Sequence, residues 1–461
     1  MLLPTARRRG PASVVRAGFN PGVPIDRFES DQVFSWGFRA MRVKLVPRND
    51  RVDTTTPVAG SDQRPSASRC RAFGWLALAL IAARIAAVPI TLSQGEVYGA
   101  HAPLTGDIRR YHSITSFHHG DPYRDFPVEY PPVMLGAIEL LDSSTTHAAT
   151  VATMWTQLAL DLIVVALIGW GWGRRAALAY LIIGFPLVCY PFLYLRLDLL
   201  SVALAVAGLA LVRRRRPAWG GAVLAVAVFS KLWPILLVPG LVARRSWRAV
   251  ASFVALAGVG LAAWVAWAGT DGPVQVVSMR GATGWEIEST VGAIIRVTTH
   301  EVVHYNEGAF RVGHVREWAI VLSAVVLGAA VIAAWLLAAR ATDPSALLDG
   351  TAALVTVGAF LVLTPLLSPQ FAVWLVPFAA IAVAHGDRLI GRLTLLVVAL
   401  SVVDFALIDR YANTSAVAPQ VVVLARNATL IALIVVCFAR LARRTGPVPA
   451  RAAAPSVDAT T

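Results

Sequence analysis

From Phe73 to Ala439 the chain alternates long apolar runs that hold few charges with polar breaks. Phe73 to Leu92, Val151 to Trp172, Val250 to Ala268, Trp318 to Ala339 and Val421 to Ala439 each approach or exceed the roughly 20 residues with which a helix crosses hydrocarbon. Apolar runs at Ala176 to Leu195, Leu197 to Val212, Ala346 to Leu363, Phe371 to Ala384 and Leu389 to Leu407 read in the same way. The pattern predicts an all-α, polytopic transmembrane helical bundle of about 10 to 13 helices.

Two runs depart from it. Pro131 to Leu141 is too short to cross about 30 Å of hydrocarbon at about 1.5 Å per residue, and reads as a surface or re-entrant helix. Pro217 to Ala243 has basic clusters at both ends and should enter and leave on one side, with two arms of about 13 residues, roughly 20 Å each. Its apex "SKLWP", Ser230 to Pro234, then falls inside the membrane's thickness. Non-helical backbone survives there only if it is buried in protein or faces a water-filled cavity.

Arginines set the expected orientation. Arg174-Arg175, Arg213 to Arg216, Arg244-Arg245 with Arg248, and Arg440 with Arg443-Arg444 stand at the ends of apolar runs, as the positive-inside rule requires of cytoplasmic loops. That leaves two large polar loops outside, residues 93–130 and 269–317, and both termini in the cytoplasm. Residues 1–70, rich in Arg, Pro, Ser and Asp without periodicity, read as a disordered basic tail, and 443–461 as a second. Met41 is an alternative start, and the basic beginning lacks the apolar core of a signal peptide. Between the tails, residues 71–442 form the predicted membrane domain.

Composition agrees with a membrane protein. Of 461 residues 57% are hydrophobic and only 15% charged, with a mean hydropathy of +0.63; soluble domains carry about a quarter charged residues. The formal charge of +14 gathers at helix ends, which argues against a nucleic-acid partner. Cys70, Cys189 and Cys437 are scattered, so neither a disulfide framework nor a metal cluster follows from them.

The polar chemistry sits in a few short passages. The first loop reads "TGDIRRYHSITSFHHGDPYRDFPVEYPP", with Asp107 followed by Tyr111, then "GDPYRDF" (Gly120 to Phe126) and "EYPP" (Glu129 to Pro132). Later come "RLDLL" (Arg196 to Leu200), "KLWP" (Lys231 to Pro234), "RGATGWEIES" (Arg280 to Ser289) and "SPQ" (Ser368 to Gln370). In this order the pieces resemble the GT-C superfamily of integral-membrane glycosyltransferases, and most of all glycosyltransferase family 87, the polyprenyl-phosphate-mannose-dependent α-mannosyltransferases of actinobacterial cell envelopes. The resemblance runs over roughly residues 73 to 440. It implies a GT-C-like catalytic domain in a bacterial plasma membrane with an extracytoplasmic active site. It further implies a polyprenyl-phosphate-linked sugar donor, a glycolipid or glycan acceptor, and inversion of a β-linked donor.

The same resemblance implies an acidic general base in the first external loop, and Asp107 fits that place. An acceptor hydroxyl is a poor nucleophile near neutral pH and must lose its proton as the new bond forms. Asp107 could equally cap the helix Ile108 to Phe117. Arg280, Arg196 and Lys231 are the candidate contacts to the donor phosphate, where positioned cations would stabilise the charge that builds on the leaving group. As alternatives, Arg196 could pair structurally with Asp198 or Glu288, and Lys231 could snorkel. Glu129 and Glu288 could accept hydrogen bonds from sugar hydroxyls, with Asp198 and Gln370 as further sugar or acceptor contacts. Glu129 could instead cap the helix opened by Pro131-Pro132. Tyr111, Tyr123, Tyr130 and Trp285 suit stacking on a pyranose, or anchoring at the membrane interface. His118 and His119 read as solvated.

Two rival readings follow from other features. "HEVVH", His300 to His304, matches the H-E-x-x-H zinc-protease signature. Its two central valines disfavour a helix, and the metzincin extension is missing at Glu307 and Phe310. A transporter or lipid flippase would also be polytopic with polar residues at depth, but such folds show paired repeats, and no second copy of the long-loop pattern or of "KLWP" occurs. A nucleotide-sugar donor would call for a soluble domain larger than any polar stretch here. Neither the sugar nor a requirement for a divalent metal is encoded in these motifs.

Overall fold

A computed structural model of the chain describes residues 67–93, 106–116, 120–278, 283–299, 301–306, 309–341, 347–411 and 418–445. Of the tails expected at 1–70 and 443–461, residues 1–66 and 446–461 lie outside the described residues, as do Arg280, His300, His118 and His119, whereas 67–70 already belong to a helix and Arg443 ends one.

The described chain is all-α apart from one small sheet. α1 (Ala67–Ser93) is followed by two short helices, α2 (Gly106–Ser116) and α3 (Pro132–Leu141), and then by α4 (Thr146–Trp172). Next come α5 (Arg174–Ile183), α6 (Phe185–Cys189), a 3-10 turn at Pro191–Leu195 and α7 (Asp198–Arg213). α8 (Pro217–Ser230), a 3-10 turn at Trp233–Leu237 and α9 (Val238–Ala243) form the hairpin around "KLWP", and α10 (Trp247–Ala268) leads out of it. α11 (Asp271–Val277) and α12 (Thr290–Thr299) lie in the second loop. α13 (Glu317–Arg340), α14 (Thr351–Leu363), a 3-10 turn at Pro369–Trp374, α15 (Val376–Ala384), α16 (Arg388–Tyr411) and α17 (Ala418–Arg443) complete the bundle.

Six of these helices, α1, α4, α10, α13, α16 and α17, are long and apolar enough to cross a membrane. The rest of the apolar chain is divided into shorter pieces. The single span expected over Ala176 to Leu195 breaks at Gly184, because Pro186 and Pro191 each supply no backbone N–H to a continuing helix and force a restart. α3 is ten residues long, as its sequence length requires, and packs against α2, α4 and α8. The "KLWP" hairpin also forms as expected: α8 stops at Ser230 and Lys231 is extended, at φ −161 and ψ 142.

Glycines let the short helices approach closely. A Cβ on Gly220 of α8 would stand 2.7 Å from the carbonyl oxygen of Gly208 on α7, and one on Gly221 would stand 1.9 Å from that of Ala249 on α10. Deeper in the bundle Arg84 on α1, 1% exposed, donates from Nε to Asp161 on α4 at 3.0 Å and from Nη2 to the Leu181 carbonyl at 3.1 Å. The Tyr180 and Tyr194 hydroxyls donate to the same carboxylate at 2.6 and 2.8 Å. Such a buried charge is tolerable in a low-dielectric interior because its partners are complete.

The two ends of the bundle differ. One gathers the arginine-bearing turns, tied together by Arg213 Nε donating to the Gly171 carbonyl at 2.7 Å and Trp172 Nε1 donating to that of Leu348 at 2.8 Å. At this end Arg444 pairs with Asp349, and Arg440 with Asp387 at 2.9 Å. α7 and α9 both finish here in Schellman motifs, the next-but-one N–H returning to the Leu211 and Leu241 carbonyls. The left-handed position, usually glycine, is Arg215 (φ 59) in one and Arg245 (φ 55) in the other. The opposite end carries both long loops. The second loop holds the sheet that the apolar pattern did not announce: β1 (Trp285–Glu286), β2 (His304–Asn306) and β3 (Ala309–Val312), antiparallel in the order β1-β3-β2, with Trp285 opposite Val312.

Candidate active site

The loop end is organised around Arg196. Between the 3-10 turn and α7 the chain is extended at Arg196 (φ −124, ψ 145), so its side chain leaves a junction rather than a helix face. The residue is 6% exposed. Its Nε stands 2.8 Å from a carboxylate oxygen of Asp107, in the first turn of α2, and its guanidinium carbon lies 5.8 Å from the ring centre of Phe405 on α16. The Asp107 contact is an ion pair that misses the N–H axis. Nε and Nη1 are both buried, and neither makes a hydrogen bond among the described residues. Arg196 therefore pairs with Asp107, and not with Asp198 or Glu288 as its alternative reading had it.

Asp198, two residues on, holds the second cation. Lys231 Nζ donates to Asp198 Oδ1 at 2.6 Å, and Trp374 Nε1 donates to the same oxygen at 2.8 Å. The ammonium lies 4.5 Å from the ring centre of Phe371 and 4.9 Å from that of Trp374, both good cation–π distances. Trp233 stacks on Trp374 at 5.4 Å and donates from Nε1 to the Ser201 hydroxyl at 2.8 Å. Three motifs far apart in the chain, "RLDLL", "KLWP" and "SPQ", thus close on one another. Gln370 belongs to the same turn, 9% exposed, its Oε1 without a hydrogen-bond partner among the described residues.

The first loop supplies the next layer. Arg110, one helical turn from Asp107, pairs with Glu129 at 2.7 Å, so Glu129 is an ion-pair partner and not the cap of α3. Burial pushes the Glu129 carboxyl above its ordinary range, with Arg110 opposing the rise. Tyr111 and Tyr130 meet edge to face at 5.7 Å. Tyr123 is engaged elsewhere. At φ 70 and 2% exposure it packs against Trp264 and Trp267, at 5.5 Å each, and its hydroxyl donates to the Tyr130 carbonyl. Its ring is spent on packing the loop, which leaves no face open to a sugar.

A second buried cluster borders the first. Trp285 is 6% exposed within β1, and Glu286 and Glu288 are 3% and 7% exposed. The Glu286 amide donates to the Pro365 carbonyl at 3.0 Å, tying the cluster to the segment that leads into the 3-10 turn of Gln370. Arg426 and Asn427 on α17 both donate to the Glu288 carbonyl oxygen, and Arg426 pairs with Asp404, the neighbour of Phe405 on α16. Burial raises the Glu286 carboxyl, with Arg311 opposing; burial and then Glu286 raise that of Glu288 further. The two carboxyls neighbour each other, and burial together with their mutual repulsion favours the protonated form of Glu288.

The loop end thus carries both carboxylates and cations, poised around a junction between broken helices. Arg110, Trp374, Phe405, Glu286, Asp404 and Arg426 were not singled out in the sequence. Asp404 and Arg426 were detectable as ionisable residues inside apolar runs, which are functional candidates by default. Trp374 and Phe405 gave no such signal. In "HEVVH" residues 301–303 are not helical and His304 lies on β2, so no helical face forms from its described residues. Among the described residues no three His, Cys, Asp or Glu side chains gather as a metal-ligand set.

A multi-pass helical bundle with a polar, carboxylate- and cation-bearing centre at one end is the architecture of an integral-membrane protein. The family model for glycosyltransferase family 87 matches residues 129–369, just over half of the chain, and the chain belongs to that family. The matched segment contains Glu129, Arg196, Asp198, Lys231 and Glu288, while Asp107 precedes it and Gln370 follows it. No curated protein sequence matches the chain.

Proposed function

We propose that this membrane glycosyltransferase moves a mannosyl, or related glycosyl, unit from a polyprenyl phosphate to a cell-envelope glycolipid or glycan at the extracytoplasmic face. The observation that supports this best is the buried Arg196 guanidinium, whose Nε and Nη1 make no hydrogen bond among the described residues while it stands 2.8 Å from Asp107. A buried donor left unmade is costly, about 1–3 kcal/mol, so these groups await an acceptor. A phosphate matches the geometry of a guanidinium edge. Arrival of the donor phosphate satisfies Arg196, with Lys231 and Arg280 as further cations, and frees Asp107 to face the acceptor. The acceptor hydroxyl passes its proton to Asp107 as its oxygen attacks the anomeric carbon. The prenyl phosphate departs with the bonding electron pair, and attack from the opposite face inverts a β-linked donor to an α-glycoside. Glu288, Glu129, Tyr130, Asp198 and Gln370 serve as sugar or acceptor contacts in this reading, and Trp285 supports them.

Purified protein with labelled polyprenyl-phosphate-mannose and a glycolipid acceptor tests it. Asp107→Asn keeps the size of the side chain and removes the base, and the expected loss in kcat is about 10²–10⁴-fold. Full transfer by the variant would remove Asp107 from the mechanism.

A further inference from the structure

The arginine-rich end carries a feature that glycosyl transfer does not use. Where α4 stops, Gly173 turns the chain at φ 93, and a cavity of about 560 Å³ opens beside it. Its walls are the Gly171–Gly173 turn, Trp172, and four arginines: Arg213, Arg214 and Arg215 from the end of α7, and Arg244 from the end of α9. The size suits a small ligand, whose sites span roughly 300–1,000 Å³.

Its charge is uncompensated. The described carboxylates at this end, Asp349 and Asp387, are already engaged by Arg444 and Arg440, and none of the four cavity arginines pairs with a described carboxylate. Arg213 has Arg244 and Arg214 as its near charges. Two of the four are held rigidly. Arg213 Nε and Arg214 Nε donate to the terminal carbonyls of α4, at 2.7 and 2.8 Å, and their guanidinium carbons lie 5.8 and 5.4 Å from the ring centres of Trp172 and Trp170. The carbonyl bonds account for one edge of each planar fork and leave further N–H groups to an anion. At Arg215 the chain tolerates a left-handed residue where glycine is the usual choice, which keeps a cation at the cavity wall.

The surroundings say what carries the anion. Trp219 and Trp247, in the first turns of α8 and α10, are 70% and 61% exposed at this same end, and Trp170 is 40% exposed. Exposed indoles of this kind mark the headgroup level of a bilayer. We infer that this cavity binds the phosphate of an anionic phospholipid headgroup. Guanidinium forks take phosphate oxygens in pairs, and a lipid supplies its phosphate at that depth at high local concentration.

The test uses the full chain purified in detergent, with thermal unfolding and native mass spectrometry as readouts. The probes are phosphatidylglycerol, phosphatidylcholine, and inorganic phosphate at matched concentration. Phosphatidylglycerol should raise the unfolding temperature and be retained as discrete adducts, and the other two should do neither. The double variant Arg215→Gln, Arg244→Gln spares the α4 caps, and should unfold like the parent without lipid while binding phosphatidylglycerol at least tenfold more weakly. Arg244→Lys should fall between the two and stands in if the double variant does not fold. Equal retention of phosphatidylglycerol by parent and variants would overturn the proposal, as would equal stabilisation by phosphatidylcholine. Stabilisation by inorganic phosphate alone would transfer the site to a soluble anion and overturn the lipid reading.

Discussion

The Lys231–Asp198 pair allows structural and chemical roles to be separated by one set of variants. At 2.6 Å and an effective dielectric of about 20, the two charges attract by roughly 6 kcal/mol. Most of that offsets the desolvation of Asp198, whose side chain is 5% exposed. Lys231→Met removes the cation but keeps much of the stem that lies over Phe371 and Trp374, leaving a buried carboxylate with the Trp374 N–H as its partner. Breaking a buried pair from one side costs about 3–5 kcal/mol. The lower figure applies here, because the Lys231 side chain is 26% exposed and water can relieve part of the loss. An apparent melting temperature lowered by about 5 °C in detergent is therefore expected. The double variant Lys231→Met, Asp198→Asn removes both charges and should regain most of that stability. If Lys231 also stabilises the leaving phosphate, the double variant will fold yet transfer sugar at least about a hundredfold more slowly. Identical melting of the single and double variants would refute the coupling, and a fully active double variant would refute the phosphate role.

Three further outcomes are expected. Asp161→Asn should destabilise the protein by about 3–5 kcal/mol, since Arg84 loses its counter-ion at 1% exposure; yield and melting of the purified variant report it. For Glu288 the folded-state pKa is raised above the ordinary 4.5, so below 4.5 both states are protonated, and as pH rises the unfolded state ionises first and stability falls. Glu288→Gln removes this titration, and its melting temperature should decline less than the parent's between about pH 5 and pH 8; parallel curves would count against the buried proton. Gly221→Val drives a side chain into the Ala249 carbonyl and should cost at least about 1–3 kcal/mol, whereas Gly258→Ala, with nothing within 4 Å, should be neutral or stabilising by up to about 1 kcal/mol in the same unfolding assay.

Much of this architecture was legible because a bilayer narrows the choices. Apolar length alone locates α1, α4, α10, α13, α16 and α17, since a spanning segment must satisfy its backbone internally. That 217–243 breaks into two short helices around a turn was expected from arginines at both its ends. What the pattern missed is where prolines cut a run, as at Pro186 and Pro191, and where a polar loop folds on itself into β1, β2 and β3. In the site, Asp107, Arg196, Asp198 and Lys231 were all nameable from the sequence, but their pairing was not. Distance in the fold decides that Arg196 meets Asp107 and Lys231 meets Asp198, and no spacing in the chain encodes it. Glu286 escaped for a related reason: beside Glu288 it is one more carboxylate until burial shows the two in contact.

Helix ends explain why the charges gather where the helices break. α7, α8 and α14 have 16, 14 and 13 residues, about 20–24 Å at about 1.5 Å each, shorter than the roughly 30 Å of a bilayer's hydrocarbon core, and every helix end leaves backbone groups without an intrahelical partner. Asp198 opens α7 at its positive pole, and Lys231 follows the last residue of α8 at its negative pole, so each charge suits its own helix as well as its partner. Arg196 does not. It stands just ahead of the N-terminus of α7, where the helix dipole disfavours a cation and favours an anion. The placement serves no helix and is only partly compensated by Asp107. It makes sense once a phosphate arrives, because the guanidinium and the amides at the start of α7 then act on the same anion. On the proposed reading the Arg196–Asp107 pair is the resting form of the site, and the donor's own charge completes it.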